Sequence, residues 1–322
     1  MSETRYKTII DLVKVFPDER ACHQYLAGQR WDTGEIICPH DGCGHNQSYV
    51  FSDGIRYKCK KCQTLFTAKT NTFMEGSKLS TIKWMLAMYL VMHKKGISSV
   101  QLAKDVGVTQ KTAWFMLQRV RWALGNEDED MLSGDVVSDE TFVGGKNKNR
   151  HRDKKVEQSQ GRSFKDKTPV LGLMQTNEYE LVDGERIITK HSKVKCFVVK
   201  DTKAKSIQPL VKANVKAGSN FTSDEWHAYR GLNSDYNHQV VDHGKGQYMN
   251  DLGYTSNAIE GFWGQCKRSI IGIYVKPTRK HLQKYFNEFS FRHNYRNLAI
   301  QEQIETIIGN MVCRLKYKDL IA

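Results

Sequence analysis

The run DVVSDETFVGG at residues 135–145 brings a β-prone, apolar segment to a polar end that carries two adjacent carboxylates, Asp139 and Glu140. A second run, SNFTSDEWHAY at 219–229, does the same with Asp224 and Glu225. A third, SNAIEGFWGQCKR at 256–268, is helical by pattern and holds Glu260 and Lys267 seven residues apart, so the two lie about 20° apart around the helix axis. Any one of these carboxylates alone is ordinarily a solvated charge. Together they form an ordered constellation in which strand-end carboxylates on adjacent strands can share metal ions.

Outward from these three runs, further β-prone segments (PVLGLMQT at 169–176, KCFVVKD at 195–201, NHQVVDHG at 237–244) alternate with helical patterns, one of them over about 202–215. The texture is that of an α/β domain. Residues 145–167 are polar and basic and are expected to form a mobile loop between two strands. A Gly-Asn-acidic break at 125–130 marks the start of this domain, and the chain before it is organised differently. Residues 1 to about 30 read as a short helical lead-in, and 36–67 as short strands joined by Gly and Asp, the texture of a ribbon.

Four of the eight cysteines fall in that ribbon, as Cys38-x4-Cys43 and Cys59-x2-Cys62 with fifteen residues between the pairs. Clustered cysteines of this kind suit a closed tetrahedral thiolate site, and zinc is the ion such sites hold; with no open position the site is expected to be structural. His40, inside the longer first knuckle, is an alternative ligand. Between 81 and 124 the chain turns helical again. In ISSVQLAKDVGVTQKTAWFMLQRVRWAL a turn at Val106-Gly107-Val108 separates two helices, and Thr109 is placed to cap the second. This is the pattern of a helix-turn-helix, whose base-reading residues would be Gln110, Lys111 and Thr112. Plain packing of two helices is the competing reading.

The charge balance, 49 Lys+Arg against 35 Asp+Glu for a formal +14, favours a polyanionic partner. It is concentrated between Gln265 and Arg296, where eight basic residues stand against the single acid Glu288 and alternate with Tyr274, Tyr285, Phe286, Phe289, Phe291 and Tyr295. Such a stretch can turn its rings inward and its cations to phosphates. No apolar run approaches the roughly 18 residues that span a bilayer, and the N-terminus lacks the pattern of a signal peptide. A chain that stays in the cytoplasm and has no membrane partner is expected.

The motifs SDETFVGGKNKNRH, TSDEWHAY and SNAIEGFWGQCKR, with the long basic run after them, resemble bacterial insertion-sequence transposases of the DDE class, in particular the zinc-ribbon-bearing ISXO-like group related to eukaryotic Merlin elements. The resemblance extends from about residue 15 to 315. It implies an RNase H-like mixed-sheet catalytic domain preceded by a zinc ribbon and a helix-turn-helix domain. The expected boundaries are 1–34 for the lead-in, 35–72 for the ribbon, 73–128 for the helix-turn-helix and 129–322 for the catalytic domain with its basic C-terminal helices. It also implies cleavage and strand transfer at the terminal inverted repeats of a mobile element, with Asp139, Asp224 and Glu260 holding two Mg2+ (or Mn2+) ions. Asn257, one helical turn before Glu260, competes for the third position, because some members carry Asn there. Lys267, Arg268, Arg279 and Lys280 are expected on phosphates, with His227 and His243 as lesser candidates. The implied partner is double-stranded DNA, both element ends and target, at the nucleoid, bound by a homo-oligomer on paired ends. Two other readings stay open: a zinc-ribbon regulator or domesticated transposase without turnover, and an RNase H-like nuclease without strand transfer.

Overall fold

The structure, a computed structural model, describes residues 6–125, 130–144, 151–155, 167–241 and 256–321. The expected loop at 145–167 and His243 lie largely or wholly outside these residues. The chain forms two compact units, Met1–Glu127 together with Asn297–Ala322, and Asp128–Arg296.

In the first unit, helices α1 (Ile9–Val15) and α2 (Glu19–Arg30) precede a three-stranded antiparallel ribbon, β1 (Ser48–Val50), β2 (Arg56–Cys59) and β3 (Leu65–Thr67). Each helix opens on a side-chain cap, Thr8 to the Asp11 amide and Asp18 to the Ala21 amide. The ribbon's own apolar core is little more than Trp31, Tyr57 and Phe66, with Tyr57 stacked on Phe66. That is too little apolar surface to hold some thirty residues together unaided, so a metal must supply much of the stability. Three helices follow: α3 (Thr81–Val91), α4 (Ser99–Val106) and α5 (Gln110–Ala123). Gly107 ends α4 in the left-handed conformation at φ 62°, which costs glycine nothing, and Thr109 then caps α5 through the Thr112 amide.

The tail also belongs to this unit. Helices α9 (Ile300–Gly309) and α10 (Tyr317–Ile321) follow Asn297; Ile304, Ile307 and Ile308 of α9 are buried, Tyr25 donates to Glu305 at 2.9 Å, and the Phe73 amide donates to the Met311 carbonyl at 3.0 Å. The sequence pattern had carried residues 297–322 into the catalytic domain. They depart from it because α9 offers an apolar face, and a face by itself does not say which core will take it.

The second unit is a mixed five-stranded sheet in the order β10-β9-β4-β5-β8. Its strands are β4 (Asp135–Gly144), β5 (Lys167–Gln175), β8 (Lys193–Val198), β9 (Asn220–Asp224) and β10 (Asn237–Val241). β10, β9 and β4 run parallel, whereas β5 is antiparallel to both β4 and β8. Between β5 and β8 rises a hairpin, β6 (Glu178–Val182) and β7 (Glu185–Lys190), exposed along its whole length. Alternate residues of the sheet face opposite layers. Val136, Leu171, Leu173 and Phe221 pack with Ile207 and Val211 of α6 (Ala204–Asn214). On the other face Val137, Val170, Met174 and Val194 meet Ile259 and Trp263 of α7 (Asn257–Ser269) and Phe286 and Phe289 of α8 (Leu282–Asn294). As the sequence leads one to expect, the rings of the basic stretch turn inward (Tyr285, Phe286, Phe289 and Phe291 are buried), while Lys267, Arg268, Lys276, Arg279 and Lys280 are exposed. Among the described residues no helix is long and apolar enough to cross a membrane.

Candidate active site and metal centre

Two parallel strands bring the aspartates together. β4 and β9 pair with Asp135 opposite Asn220 and Val137 opposite Thr222, a register that, carried forward, sets Asp139 level with Asp224. Asp139, Glu140 and Asp224 each place a carboxylate oxygen within 4.8 Å of the others. Asp139 is half-buried. Its Oδ1 accepts from the Glu140 amide at 2.8 Å and its Oδ2 from the Trp263 indole at 3.0 Å. Burial raises its pKa to about 6, the charges of Asp224 and Glu260 push the same way, and the two hydrogen bonds oppose them. Asp224 accepts from the Trp226 amide at 3.1 Å, which fixes it where the chain leaves β9. Three acidic groups crowded into so small a space, one of them held above the ordinary carboxylate range, form a set of hard oxygen donors suited to Mg2+ or Mn2+.

Helix α7 delivers the third expected residue. Glu260 stands in its first turn and accepts from Ser256 Oγ at 2.8 Å; Asn257 is its first residue. Glu260 lies outside the group of three converging oxygens, yet its charge is felt at Asp139. Trp263, one turn further on, packs so close to β5 that the strand needs a glycine there. A Cβ on Gly172, the partner of Asp139 across the β4–β5 ladder, would fall 2.4 Å from Trp263 Cζ2. The sequence favours core packing over base stacking for Trp263, and the structure adds a hydrogen bond to the aspartate. Lys267 and Arg268 are exposed on the last turn of α7, and Arg279 and Lys280 on the 3-10 turn that leads into α8. His227 is exposed, with its ring 4.0 Å from that of Trp226.

Two residues escaped the sequence reading as site members. Glu140 joins Asp139 and Asp224, and Tyr229, fully buried, donates to Glu140 Oε1 while its oxygen lies 2.8 Å from Ser138 Oγ. Tyr229 stands in the quoted run TSDEWHAY, and period-two alternation on β4 separates Glu140 from Asp139; neither feature by itself speaks of a shared site.

In the ribbon, Cys38, Cys43, Cys59 and Cys62 bring their sulfurs within 4.8 Å of one another, with Cys38–Cys62 and Cys43–Cys59 both at 3.7 Å. Tetrahedral zinc with bonds of about 2.3 Å requires sulfurs about 3.8 Å apart, so the four residues fit the ion. His40 is not part of the set: its Nε2 lies 3.3 Å from the Leu65 carbonyl and its ring meets Phe66 edge-on. The long first knuckle turns on Gly42 and Gly44, both at positive φ.

At the start of α5, Gln110 donates to Ser99 Oγ at 2.9 Å, the Lys111 ammonium lies 5.3 Å from the centre of the Tyr317 ring, and Thr112 bonds Thr109. Gln110 and Lys111 are exposed and Thr112 half-buried.

Two family models match the chain. One described as an ISXO2-like transposase domain covers residues 131–294, and one described as a transposase zinc-ribbon domain covers 17–64. The first takes in every strand of the five-stranded sheet and helices α6 to α8; the second takes in all four cysteines. No curated protein matches the chain.

Proposed function

Because the chain belongs to the ISXO2-like transposases of the IS1595 type and is a DNA transposase with a zinc ribbon, we propose that it cleaves the ends of its element and joins them to target DNA at a site built on Asp139, Asp224 and Glu260. The observation that carries this reading is the convergence of Asp139, midway along β4, and Asp224, at the end of the parallel strand β9, beneath the helix that bears Glu260. The first aspartate on the first strand of the sheet, the second at the end of the fourth and the glutamate on a later helix also support an RNase H-like fold.

Divalent ions bound by these carboxylates would activate the attacking water or 3′-hydroxyl and stabilise the leaving oxygen. The chain's own residues do the positioning. Asp139, clasped by the Trp263 indole and the Glu140 amide, presents one edge of the site, and Asp224, held by the Trp226 amide, presents the other. Glu260 is the preferred third ligand over Asn257, because a carboxylate neutralises a hard cation and an amide does not. Lys267, Arg268, Arg279 and Lys280 bind the DNA backbone on the same stretch of chain, and no covalent protein intermediate is needed. In the first unit the zinc ribbon and α4–α5, read as a helix-turn-helix, recognise the element ends, with Gln110, Lys111 and Thr112 at base edges once their present contacts are exchanged. The active species is a homo-oligomer on paired ends, working at the nucleoid in the cytoplasm.

Incubation of the purified protein with precut element ends and a target plasmid tests this. Mg2+-dependent joined product is expected. Cleavage of intact ends with no joining of precut ones would instead mark a nuclease, and neither reaction, with DNA binding retained, a regulator.

A further inference from the structure

We propose that Ile271 and Val275 form an apolar wedge that enters double-stranded DNA between base pairs while the cations around them hold its phosphates. This rests on the proposed reading of α7 as the helix that carries Glu260 to the cleavage site. Residues Ile270–Tyr274 continue α7 as a single π-helical turn, a feature that often marks functional positions. Tyr274 is pinned to the core: its hydroxyl donates to Glu288, its ring meets Tyr285 edge-on at 5.0 Å, and Glu288, fully buried, pairs with Arg292 at 3.0 Å. Immediately beyond it the Lys276 amide donates to the Tyr274 carbonyl at 2.7 Å, closing a three-residue turn on Val275 at φ 59° and ψ −59°. That is the strained form of the γ-turn, and a β-branched side chain in it is an outlier. Glycine would turn the chain here at no steric cost. Val275 holds the strain with 75% of its surface exposed, so packing within the fold does not offset it.

Ile271, 71% exposed, follows Lys267 by four residues and Arg268 by three, the spacings that share a helix face. Beyond Val275, Lys276 and Arg279 are exposed as well. Two large apolar side chains therefore stand out of a basic surface, and the single acid between Gln265 and Arg296, Glu288, is buried. Charge decides what covers them. A second copy presenting the same face would set cation against cation, since a two-fold interface pairs one patch with itself. Duplex DNA has the complementary make-up, an anionic frame around stacked bases with apolar faces. Cations alone would serve to hold the frame; exposed apolar side chains are what insertion needs, and proteins that insert them partly unstack one base step and bend the duplex there. Ile271 follows Glu260 by eleven positions (271 less 260), about 16 Å along a helix. At 3.4 Å per base pair, the opened step lies within about five base pairs of the scissile phosphate.

The test is 2-aminopurine fluorescence in complexes of the full-length, zinc-loaded protein with two duplexes, one carrying the element end and one of unrelated target sequence. The probe is moved stepwise along each. Wild type at saturation should raise the fluorescence at one step, as a base leaves the stack; a rise on the end duplex places the wedge at cleavage, and a rise on the target duplex places it at joining. Val275→Gly and Ile271→Gln should lose the rise and keep the wild-type salt dependence of affinity, because neither side chain meets a phosphate. Lys267→Ala should keep the rise at saturation and lower the salt slope by about one phosphate contact. Val275→Gly should unfold at no lower temperature than wild type, since it sheds strain; a midpoint lower by several degrees would make the side chain a packing element and overturn the inference. No rise on either duplex with wild type bound, or a rise that persists in both variants, overturns the wedge and leaves the cationic surface standing. Wild type that is dimeric without DNA, with Val275→Gly monomeric and no rise in either, would give the patch to a second copy instead. A salt slope unchanged in Lys267→Ala as well removes this end of α7 from the DNA, and with it the reading on which the wedge rests.

Discussion

Replacing Gly172 with alanine adds one methyl group and touches no carboxylate, but it should disable the site. The new Cβ would meet Trp263 Cζ2 at 2.4 Å, Cη2 at 2.7 Å and Ile259 Cδ1 at 3.0 Å. Carbon atoms settle at about 3.5–4.0 Å, so the indole has to retreat by more than about 1 Å. It cannot swing into solvent, because it is buried among Val137, Phe262 and Phe286, and so strand β5 or helix α7 must shift. Overpacking of this kind costs about 1–3 kcal/mol. Stretching the indole bond to the Asp139 carboxylate adds up to about 1.5–3 kcal/mol, the range for hydrogen bonds to charged groups. A loss of about 1–6 kcal/mol in urea unfolding is therefore expected. Glu260 stands one turn before Trp263 and moves with it, and a displacement near 1 Å can slow a positioned reaction by about 100-fold. Mg2+-dependent cleavage of element-end DNA should fall by that order while binding to the DNA persists. Trp263→Phe in the Gly172→Ala background should recover part of the stability, since the smaller ring makes room, but not the bond to Asp139. Wild-type stability and cleavage in Gly172→Ala would refute the idea that the close packing of α7 on β5 sets the site.

Asp139→Asn and Asp224→Asn should abolish cleavage and leave DNA binding largely intact; Glu260→Gln should do the same, and full activity in Glu260→Gln with loss in Asn257→Ala would move the third ligand to Asn257. Asp139→Asn should also stabilise the metal-free, zinc-loaded protein. The native Asp139 holds its proton up to about pH 6 against an ordinary value of 3.8, so the wild type loses stability as pH rises from about 4 to 6. By the usual conversion the loss is at most about 3 kcal/mol, and the variant should gain that much at pH 7 and match the wild type near pH 4; equal denaturation midpoints at both pH values would count against it. Removing zinc, or Cys59→Ser, should open residues 35–68 to protease while the five-stranded sheet of the second unit stays resistant, and unchanged resistance of 35–68 would show that the ribbon does not depend on the ion. Lys267→Ala and Arg268→Ala should each lower the salt dependence of DNA affinity by about one phosphate contact, measured by anisotropy between low and moderate salt; an unchanged slope would remove them from the interface.

Much of this was legible in the chain because local signals agreed. DVVSDETFVG is strand β4 from end to end, and the expected cap at Thr109 and turn at Gly107 are where the pattern puts them. The clustered cysteines announced their sulfur geometry through spacing alone. Other features depended on what lies across the fold. The hairpin β6–β7 passed unread because its strands mix Glu, Arg and Lys with Tyr, Leu and Ile and bury neither face; the Asp183-Gly184 turn, both residues at positive φ, was the available signal. Trp263 looks like a core residue and is one, but its bond to Asp139 depends on the absence of a side chain at Gly172, ninety-one positions earlier. Tyr229 and Glu140 meet only because β4 and the turn after β9 are neighbours in space. The placement of α9 in the first unit depends on a choice between two cores that amphipathicity cannot express.

The central claim is that Asp139, midway along β4, and Asp224, at the end of β9, hold a divalent cation beside helix α7. Anomalous diffraction from crystals of the protein soaked in Mn2+ tests it most directly. A manganese peak within bonding distance, about 2.2 Å, of carboxylate oxygens from both aspartates is predicted, absent in crystals of Asp139→Asn. Ordered carboxylates with no peak between them at millimolar Mn2+, or a peak that persists unchanged in Asp139→Asn, would contradict it.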